Sequence, residues 1–138
     1  MNMSICKLID FKTLKDERGS LIALEQGQDI PFEIKRFYYI FNISKGFERG
    51  FHAHSNLKQM AIAVSGKCMF LIDNGIKKEE MYLDNPNKGL FIDGLIWREI
   101  KEFTEDCVLV VLANDHYKEK DYIRDYKEFI KKVNLYNN

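Results

Sequence analysis

Short runs of aromatic and β-branched residues, separated by turn-forming residues, occupy the first two-thirds of this 138-residue sequence. Asp73-Asn74-Gly75 divides two of these runs and predicts a hairpin with a type I′ turn, which favours Asn-Gly at its centre. The other runs cover residues 36–43, 60–64, 67–72, 89–92, 96–100 and 108–113. Roughly seven or more short strands at this spacing predict an all-β sandwich or barrel, and the length suits one domain over residues 1–138.

The hydrophobic period changes near the C-terminus. From Asp121 onward, apolar residues recur at steps of three and four, which is typical of one face of an amphipathic helix. They are Tyr122, Tyr126, Phe129, Ile130 and Val133. We expect this helix to pack against the barrel or against a partner subunit.

The strand that begins at Arg36 has two different faces, because side chains alternate along a strand. Arg36 and Tyr38 share one face, which predicts a polar pocket. Phe37, Tyr39 and Phe41 share the other, which is uniformly apolar and is expected in a core or an interface.

The charge balance argues against binding to polyanions. Lysine plus arginine and aspartate plus glutamate both number 21, so no net field attracts nucleic acid or an anionic membrane. A bound anion must therefore be held by a few placed arginines.

Cys6, Cys68 and Cys107 are far apart and form no CxxC pair, which fits a reducing compartment. With no signal-peptide pattern and no apolar run of about 20 residues, we expect a cytoplasmic protein.

Two of the three histidines lie in the run RGFHAH, residues 49–54. His52 and His54 are two residues apart and point to the same face of a strand. A metal site of this type would add a carboxylate and a third imidazole, but those positions hold Gln59, a neutral amide, and Trp97. We therefore expect the histidines to transfer protons and not to bind a metal. Two structural histidines in the core are the alternative.

Arginines and aromatic residues add candidate ligand contacts. A guanidinium fork suits phosphate or carboxylate, although a single arginine is more often in a surface ion pair. Tyr38 is a candidate general acid, oxyanion donor or packing residue. Trp97-Arg98 could cover a pocket mouth and stack on a flat ligand, or Trp97 could be a core or rim aromatic. Three further arginines lie beside a glycine or at a strand start: Arg18, Arg36 and Arg49.

These patterns resemble the motifs of the cupin superfamily. HxH, followed by a position for glutamate and then Gly66, is similar to the first cupin motif. DGLIW at 93–97 resembles the PxGxxH core of the second motif without its proline and histidine. Within cupins, the chain is similar to the nucleotide-sugar 3,4-ketoisomerases, which act on dTDP-4-keto-6-deoxyglucose and dispense with a metal. The stretches that carry this resemblance are DERG (16–19), IPFEIKR (30–36), RGFHAH (49–54) and DYIRDY (121–126).

The resemblance implies an antiparallel jelly-roll (cupin) barrel with a C-terminal α-helix, and a homodimer that exchanges strands between subunits. It implies a dTDP-linked 4-keto-6-deoxy sugar as substrate, its diphosphate held by arginines, and no cofactor. His52 is then the expected catalytic base, His54 its same-face neighbour and Tyr38 a pocket hydroxyl. The candidate substrate-binding residues are Arg18, Arg36, Arg49, Gln59, Trp97 and Arg98.

One departure from the family pattern affects Arg49. Phe51 lies between Gly50 and His52, where some members run straight from glycine to histidine. A β-bulge at Phe51 would let Arg49 and His52 share the pocket despite their odd separation.

The expected activity is that of a metal-free 3,4-ketoisomerase, which moves the ketone from C4 to C3 through an enediolate in deoxyamino-sugar biosynthesis. A dTDP-sugar 3,5-epimerase is the alternative enzyme and would need an aspartate paired with its histidine base. A non-catalytic sugar-binding cupin and a metal-dependent oxygenase are alternatives from other classes.

Overall fold

Antiparallel strands dominate the computed structural model, which describes residues 4–137. The strands are β1 (Lys7–Asp10), β2 (Leu14–Asp16), β3 (Gly19–Leu21), β4 (Arg36–Ile40), β5 (Arg49–His54), β6 (Lys58–Ser65), β7 (Cys68–Asp73), β8 (Lys78–Leu83), β9 (Lys88–Asp93), β10 (Trp97–Lys101), β11 (Val108–Ala113) and β12 (Tyr122–Ile123). A 3-10 turn (Glu119–Asp121) precedes β12, and helix α1 (Tyr126–Tyr136) follows it.

Two five-stranded sheets pack face to face. The first has the strand order β1-β9-β6-β11-β4 and the second β12-β5-β10-β7-β8, while β2 pairs with β3 in a separate hairpin. Every pair of these strands is antiparallel. Side chains from both sheets meet in the main core, which includes Ala61, Phe70, Leu90, Ile100 and Leu109. The structure confirms the predicted jelly-roll (cupin) barrel with a C-terminal helix.

The outer face of each sheet is covered by a further apolar cluster. The segment between β3 and β4 covers the first sheet, where Ile30 and Phe32 pack with Met60. Helix α1 covers the second sheet, where Phe129 packs with Trp97. Removing this apolar surface from water stabilises both covering segments.

The hairpin at Asp73-Asn74-Gly75 forms, but its turn is not the predicted type I′. A type I′ turn needs a positive φ at both central residues. Gly75 has a φ of 89°, whereas Asn74 does not have a positive φ. The Asn74 side chain accepts hydrogen bonds of 2.9 Å from the backbone nitrogens of Ile76 and Lys77. These bonds stabilise a longer loop in which only the glycine needs the left-handed region.

The hydrophobic period predicts a helix from Asp121 onward, but helix α1 begins at Tyr126. Asp125 caps the helix by accepting a hydrogen bond of 2.9 Å from the backbone nitrogen of Lys127. Tyr122, which the period assigns to the helix, lies in β12 and extends the second sheet beside β5. Within residues 4–137, no helix combines the length and the apolarity needed to cross a membrane.

Strand β4 has the two faces that its sequence predicts. Arg36 and Tyr38 face the space between the sheets. Phe37, Tyr39 and Phe41 are 56%, 55% and 54% exposed, and their rings contact one another along the strand. Because β4 is the edge strand of its sheet, this apolar row is open to a partner and is not part of the core of this chain.

A β-bulge at Phe51 interrupts the pairing of β5 with β10, which is the condition under which Arg49 and His52 can share the pocket. The register shifts so that β10 advances by one residue while β5 advances from Gly50 to His52. Gly50 and Phe51 both have positive φ, 86° and 60°. The extra residue returns Arg49 and His52 to the same wall of the interior.

Two constraints favour glycine at position 50: a positive φ and the close approach of the β10 backbone. A pair of variants tests the two constraints separately. A Cβ at Gly50 would lie 2.9 Å from the backbone oxygen of Arg98, whereas a Cβ at Gly94, with a φ of 89°, would meet nothing within 4 Å. We expect Gly94→Ala to lower the free energy of unfolding by about 1 kcal/mol, from backbone strain alone. Gly50→Ala should lower it by about 3 kcal/mol, since the contact adds to the same strain. Urea unfolding of both variants tests this, and equal losses would show that the close contact has no cost.

Candidate active site

A cavity of about 440 Å³ opens between the two sheets. Strands of both sheets form its walls, and the segment that follows β11 borders its mouth. Six of the nine predicted site residues line it: Arg36, Tyr38, Arg49, His52, Gln59 and Arg98. The other lining residues are Ile40, Gly50, Ala61, Phe70, Ile92, Ile100, Val111, Tyr117, Tyr122 and Arg124.

The cavity has a strongly positive lining. Four arginines line it, namely Arg36, Arg49, Arg98 and Arg124, and within residues 4–137 no aspartate or glutamate does. The Arg36 guanidinium lies over the rings of Tyr38 and Tyr117, 5.5 and 5.8 Å from their centroids, and its buried Nε has no hydrogen-bond partner in the described chain. Such a lining suits a ligand with several anionic oxygens.

Arg98 is a buried cation that forms no ion pair within residues 4–137. It is 3% exposed. Its Nη1 donates to Oε1 of Gln59, and its Nη2 donates to the carbonyl oxygen of Ile96 at 2.9 Å. Burial lowers the pKa of Arg98 to about 10, which leaves the side chain protonated at neutral pH. Because both partners are neutral, a negative charge that develops in the cavity is stabilised by this guanidinium.

His52 faces the cavity beside Arg98. The two residues are direct partners in the β5–β10 pair. Burial, and next the positive charge of Arg98, lower the pKa of His52 to about 4. The imidazole is therefore neutral near pH 7, and its buried Nδ1 has no hydrogen-bond partner in the part of the chain described. A neutral imidazole in this position can accept a proton from a ligand.

His54 contacts His52 and does not line the cavity. It is 1% exposed, and the ring centroids of the two histidines are 4.8 Å apart. Its Nδ1 lies 3.5 Å from Oδ2 of Asp121, and its ring packs edge-on against Tyr122 at 4.3 Å. Burial lowers the pKa of His54 to about 2, so this imidazole is also neutral. The arrangement favours a supporting role for His54 behind His52.

Residues of the segment after β11 form the cavity mouth, and the predicted site does not contain them. Arg124 lies 4.5 Å from the ring centroid of Tyr122 and donates two hydrogen bonds of 3.0 Å to Glu119. Glu119 also accepts a hydrogen bond from the Tyr117 hydroxyl. The motif DYIRDY contains Tyr122 and Arg124, so the resemblance could have identified them. The hydrophobic period gave the opposite indication for Tyr122, because it placed this residue on a helix.

Two predicted substrate-binding residues lie away from the cavity of this chain. Arg18 is at the tip of the β2–β3 hairpin, where its side chain is 86% exposed and pairs with Asp16. Trp97 is 4% exposed and packs on Phe129. Neighbouring residues of a strand point to opposite faces, and on β10 Arg98 has the inner face. Trp97 is therefore part of the core under α1 and does not border the pocket.

The residues around His52 do not fit a metal ion. Within residues 4–137, no three or more His, Cys, Asp and Glu side chains are grouped as a metal site requires. The oxygen of Gln59 stands where a carboxylate ligand is expected, and it already accepts a hydrogen bond from Arg98. The guanidinium would also repel a cation at this place. This set of donors suits an anion and not a metal.

Known proteins resemble the chain over nearly its whole length. The family model described as FdtA: WxcM-like, C-terminal matches residues 4–134. A curated relative, the TDP-4-oxo-6-deoxy-alpha-D-glucose-3,4-oxoisomerase of Aneurinibacillus thermoaerophilus, is 46% identical over 132 residues. The match covers 94% of this chain and 95% of the relative.

Solved structures agree in fold and in name. A 3,4-ketoisomerase from Helicobacter canadensis is 46% identical, with a TM-score of 0.91 over 94% of this chain and 97% of that one. A mutant of the 3,4-ketoisomerase QdtA from Thermoanaerobacterium thermosaccharolyticum, in complex with TDP-4-keto-6-deoxyglucose, is 39% identical. Its TM-score is 0.93 over 97% of each chain. The chain belongs to the FdtA (WxcM-like, C-terminal) family and, as its motifs predict, to the cupin-type sugar 3,4-ketoisomerases.

Proposed function

We propose that this chain converts a dTDP-linked 4-keto-6-deoxyhexose into its 3-keto isomer and needs neither a metal nor a redox cofactor. The observation that carries the proposal is a neutral His52 that faces a cavity beside the unneutralised charge of Arg98. Removing a proton from the carbon next to a ketone produces an oxyanion. A base next to a fixed cation suits this step, because one accepts the proton and the other stabilises the oxyanion.

The relatives support the choice of substrate. The curated relative acts, by its name, on TDP-4-oxo-6-deoxy-alpha-D-glucose, and the QdtA mutant holds TDP-4-keto-6-deoxyglucose. In this chain, the arginines that line the cavity match a diphosphate, because a guanidinium donates to two phosphate oxygens at once. The sugar would then lie deeper, next to His52.

The proposed reaction moves two protons and one electron pair within the sugar. His52 removes the proton at C3, which the C4 carbonyl acidifies, and the electrons of the C–H bond form an enediolate between C3 and C4. The carbon-bound proton returns at C4, and the hydroxyl proton moves from the C3 oxygen to the C4 oxygen. Oxidation at C3 equals reduction at C4, so no external electron acceptor takes part.

Tyr38 and Arg98 would stabilise the enediolate. Burial raises the pKa of Tyr38, so its hydroxyl remains protonated and can donate a hydrogen bond. Arg98 supplies a full positive charge from the opposite sheet. A well-placed donor to a developing oxyanion contributes about 3 kcal/mol to the transition state.

The alternative function, that of a 3,5-epimerase, is less well supported than the ketoisomerase. Such an enzyme would pair an aspartate with its histidine base. Here Asp121 lies 3.5 Å from His54, and His54 does not line the cavity. A non-catalytic sugar-binding protein could use the same arginines, and loss of turnover in a His52 variant distinguishes it from the enzyme.

The expected cytoplasmic location agrees with the state of the cysteines. Cys6, Cys68 and Cys107 are all free and buried. Free thiols are typical of proteins from a reducing compartment, and we propose this location for the chain.

We also propose that the chain works as a strand-exchanged homodimer. The β2–β3 hairpin pairs with no other strand of the described chain, and Leu14 and Leu21 on it are more than half exposed. The edge strand β4 shows an open row of aromatic side chains, including Tyr39. A hairpin without a sheet and a sheet edge without a neighbour complement each other between two copies.

Exchange of the hairpin would explain the position of Arg18. The residue is at the tip of the hairpin and does not reach the cavity of its own chain. Strand β4 starts at Arg36, which lines the cavity. A partner hairpin that lies along β4 with its tip toward Arg36 would bring Arg18 of the partner subunit near the cavity mouth.

Replacing His52 tests the assignment of the base. We expect His52→Asn to lower kcat on dTDP-4-keto-6-deoxyglucose by about 10³-fold, because the asparagine cannot accept the C3 proton. Affinity for dTDP should change by no more than about threefold, since binding rests on the arginines. Proton NMR of the sugar and calorimetric titration with dTDP give the two values. His116→Asn, at an exposed histidine outside the cavity, is the control. Loss of dTDP binding together with turnover would make His52 a structural residue.

The lowered pKa of His52 sets the acid limit of the reaction. Because the folded protein binds this proton only near pH 4, we expect kcat/KM to stay nearly constant from pH 7 to pH 5. Stability should behave differently. The unfolded chain takes up the proton near pH 6.5 and the folded chain does not, so stability falls as the pH decreases from about 6.5 to 4. Initial rates and urea midpoints across this range measure both. An activity limb at pH 6.5 would contradict the burial of the base.

Mixed dimers test whether Arg18 acts on the partner's cavity. We expect Arg18→Ala and His52→Asn homodimers to be at least about tenfold less active than the wild type. If Arg18 acts across the dimer, a heterodimer of the two variants has one intact site. A randomised equal mixture should then recover about a quarter of wild-type activity.

The matched control for this experiment is a mixture of His52→Asn with Arg49→Ala. His52 and Arg49 line the same cavity, so no exchange of hairpins restores a complete site. Equal recovery of activity in the two mixtures would contradict the exchange of hairpins. Light scattering that gives the mass of a single 16.3 kDa chain would contradict it as well. Full activity of Arg18→Ala would remove Arg18 from the site.

A further inference from the structure

Arg98, Gln59 and Tyr38 form a chain of hydrogen bonds in which each donor has a determined direction. The Arg98 guanidinium carries only donors, and its Nη1 bonds to Gln59. If the Gln59 amide were flipped, its N–H groups would face the N–H groups of Arg98. Gln59 is 4% exposed, so this contact would be buried. Burying such an unsatisfied contact is unfavourable. The oxygen of Gln59 must therefore face Arg98.

The amide nitrogen of Gln59 consequently faces Tyr38. Its Nε2 lies 3.2 Å from the hydroxyl oxygen of Tyr38. Since Nε2 has only hydrogens to offer, the Tyr38 oxygen is the acceptor in this contact. The hydroxyl hydrogen of Tyr38 cannot lie on the same line and must point elsewhere.

The cavity is the direction that remains for this hydrogen. The titratable groups that act on Tyr38 are Arg98, Tyr122 and Arg36. The two arginines are cations that offer no acceptor, and the described residues show no hydrogen bond between the hydroxyls of Tyr38 and Tyr122. Within residues 4–137, no side chain or carbonyl accepts a hydrogen bond from the Tyr38 hydroxyl. Tyr38 and Gln59 both line the cavity.

We infer that Gln59 is a positioning residue that, held by Arg98, directs the Tyr38 hydroxyl hydrogen into the cavity toward the ketose oxygen on which charge develops. The inference rests on the proposed ketoisomerase function. It adds the reason why an amide, and not a carboxylate, suits this position. A carboxylate at residue 59 would accept from Arg98 and from Tyr38 alike, which would turn the hydroxyl hydrogen away from the cavity and neutralise the cation.

Gln59→Glu tests this reversal because it changes one atom and keeps the shape. We expect kcat to fall about 100-fold in Tyr38→Phe and at least about 100-fold in Gln59→Glu, since both remove the same donor and the carboxylate also weakens the charge of Arg98. The double variant should fall further than Tyr38→Phe, because the carboxylate still weakens the charge of Arg98. It should fall much less than the product of the two single losses, because no hydroxyl hydrogen is left to redirect. Gln59→Glu should change KM by the same factor whether residue 38 is tyrosine or phenylalanine, because the change in KM reflects the new charge beside Arg98. Gln26→Glu is the control: Gln26 is exposed, and its oxygen accepts from the backbone nitrogen of Ile34 at 2.8 Å, which a carboxylate can also do.

Losses of kcat that multiply in the double variant would overturn the inference, as would unchanged kcat in Gln59→Glu. Neutron diffraction of the deuterium-exchanged wild-type protein gives a second answer that needs no turnover. Deuterium on the Tyr38 oxygen directed into the cavity supports the inference, and deuterium directed at Gln59 overturns it. A wild-type protein that shows this deuterium position but does not convert dTDP-4-keto-6-deoxyglucose would overturn the proposed function and leave the role of Gln59 toward Tyr38 in place.

Discussion

The buried positive charge of Arg98 is the interaction on which the site depends. Because its partners are an amide and a backbone carbonyl, the charge remains available to the cavity. It contributes to the low pKa of His52 and keeps that imidazole neutral. It determines the orientation of Gln59 and, through Gln59, that of the Tyr38 hydroxyl. In a jelly roll whose histidine pair could otherwise suit a metal, a fixed guanidinium makes the cavity a site for anions.

The parts of this site that sequence predicts are those governed by alternation along a strand. Arg36 and Tyr38 share a face of β4, and both line the cavity. The bulge at Phe51 could be predicted as well, because Arg49 and His52 can share a wall only if one extra residue lies between them. In each case, one local rule connects the position in the chain to the position in the fold.

The parts that sequence does not predict depend on contacts between distant segments. Tyr122 continues the hydrophobic period of α1 because its ring is packed, but it packs against His54 and not on the helix. Only the pairing of β12 with β5 shows this, and no rule of local periodicity contains it. Trp97 and Arg98 are adjacent, and the sequence does not state which of the two faces inward. Helix α1 decides, because it provides the apolar cover that Trp97 needs.

In the proposed reaction, the same positive charges act on the base in two ways. In the free protein, Arg98 and Arg124 disfavour protonation of His52, which makes it a weak base. A bound diphosphate brings negative charge to the arginines of the cavity and offsets part of their field. The basicity of His52 therefore rises when the substrate binds. The free protein keeps the imidazole unprotonated even in mild acid, and the complex supplies the driving force for proton abstraction. A low pKa in the free protein and an effective base in the complex are thus consequences of one charge distribution.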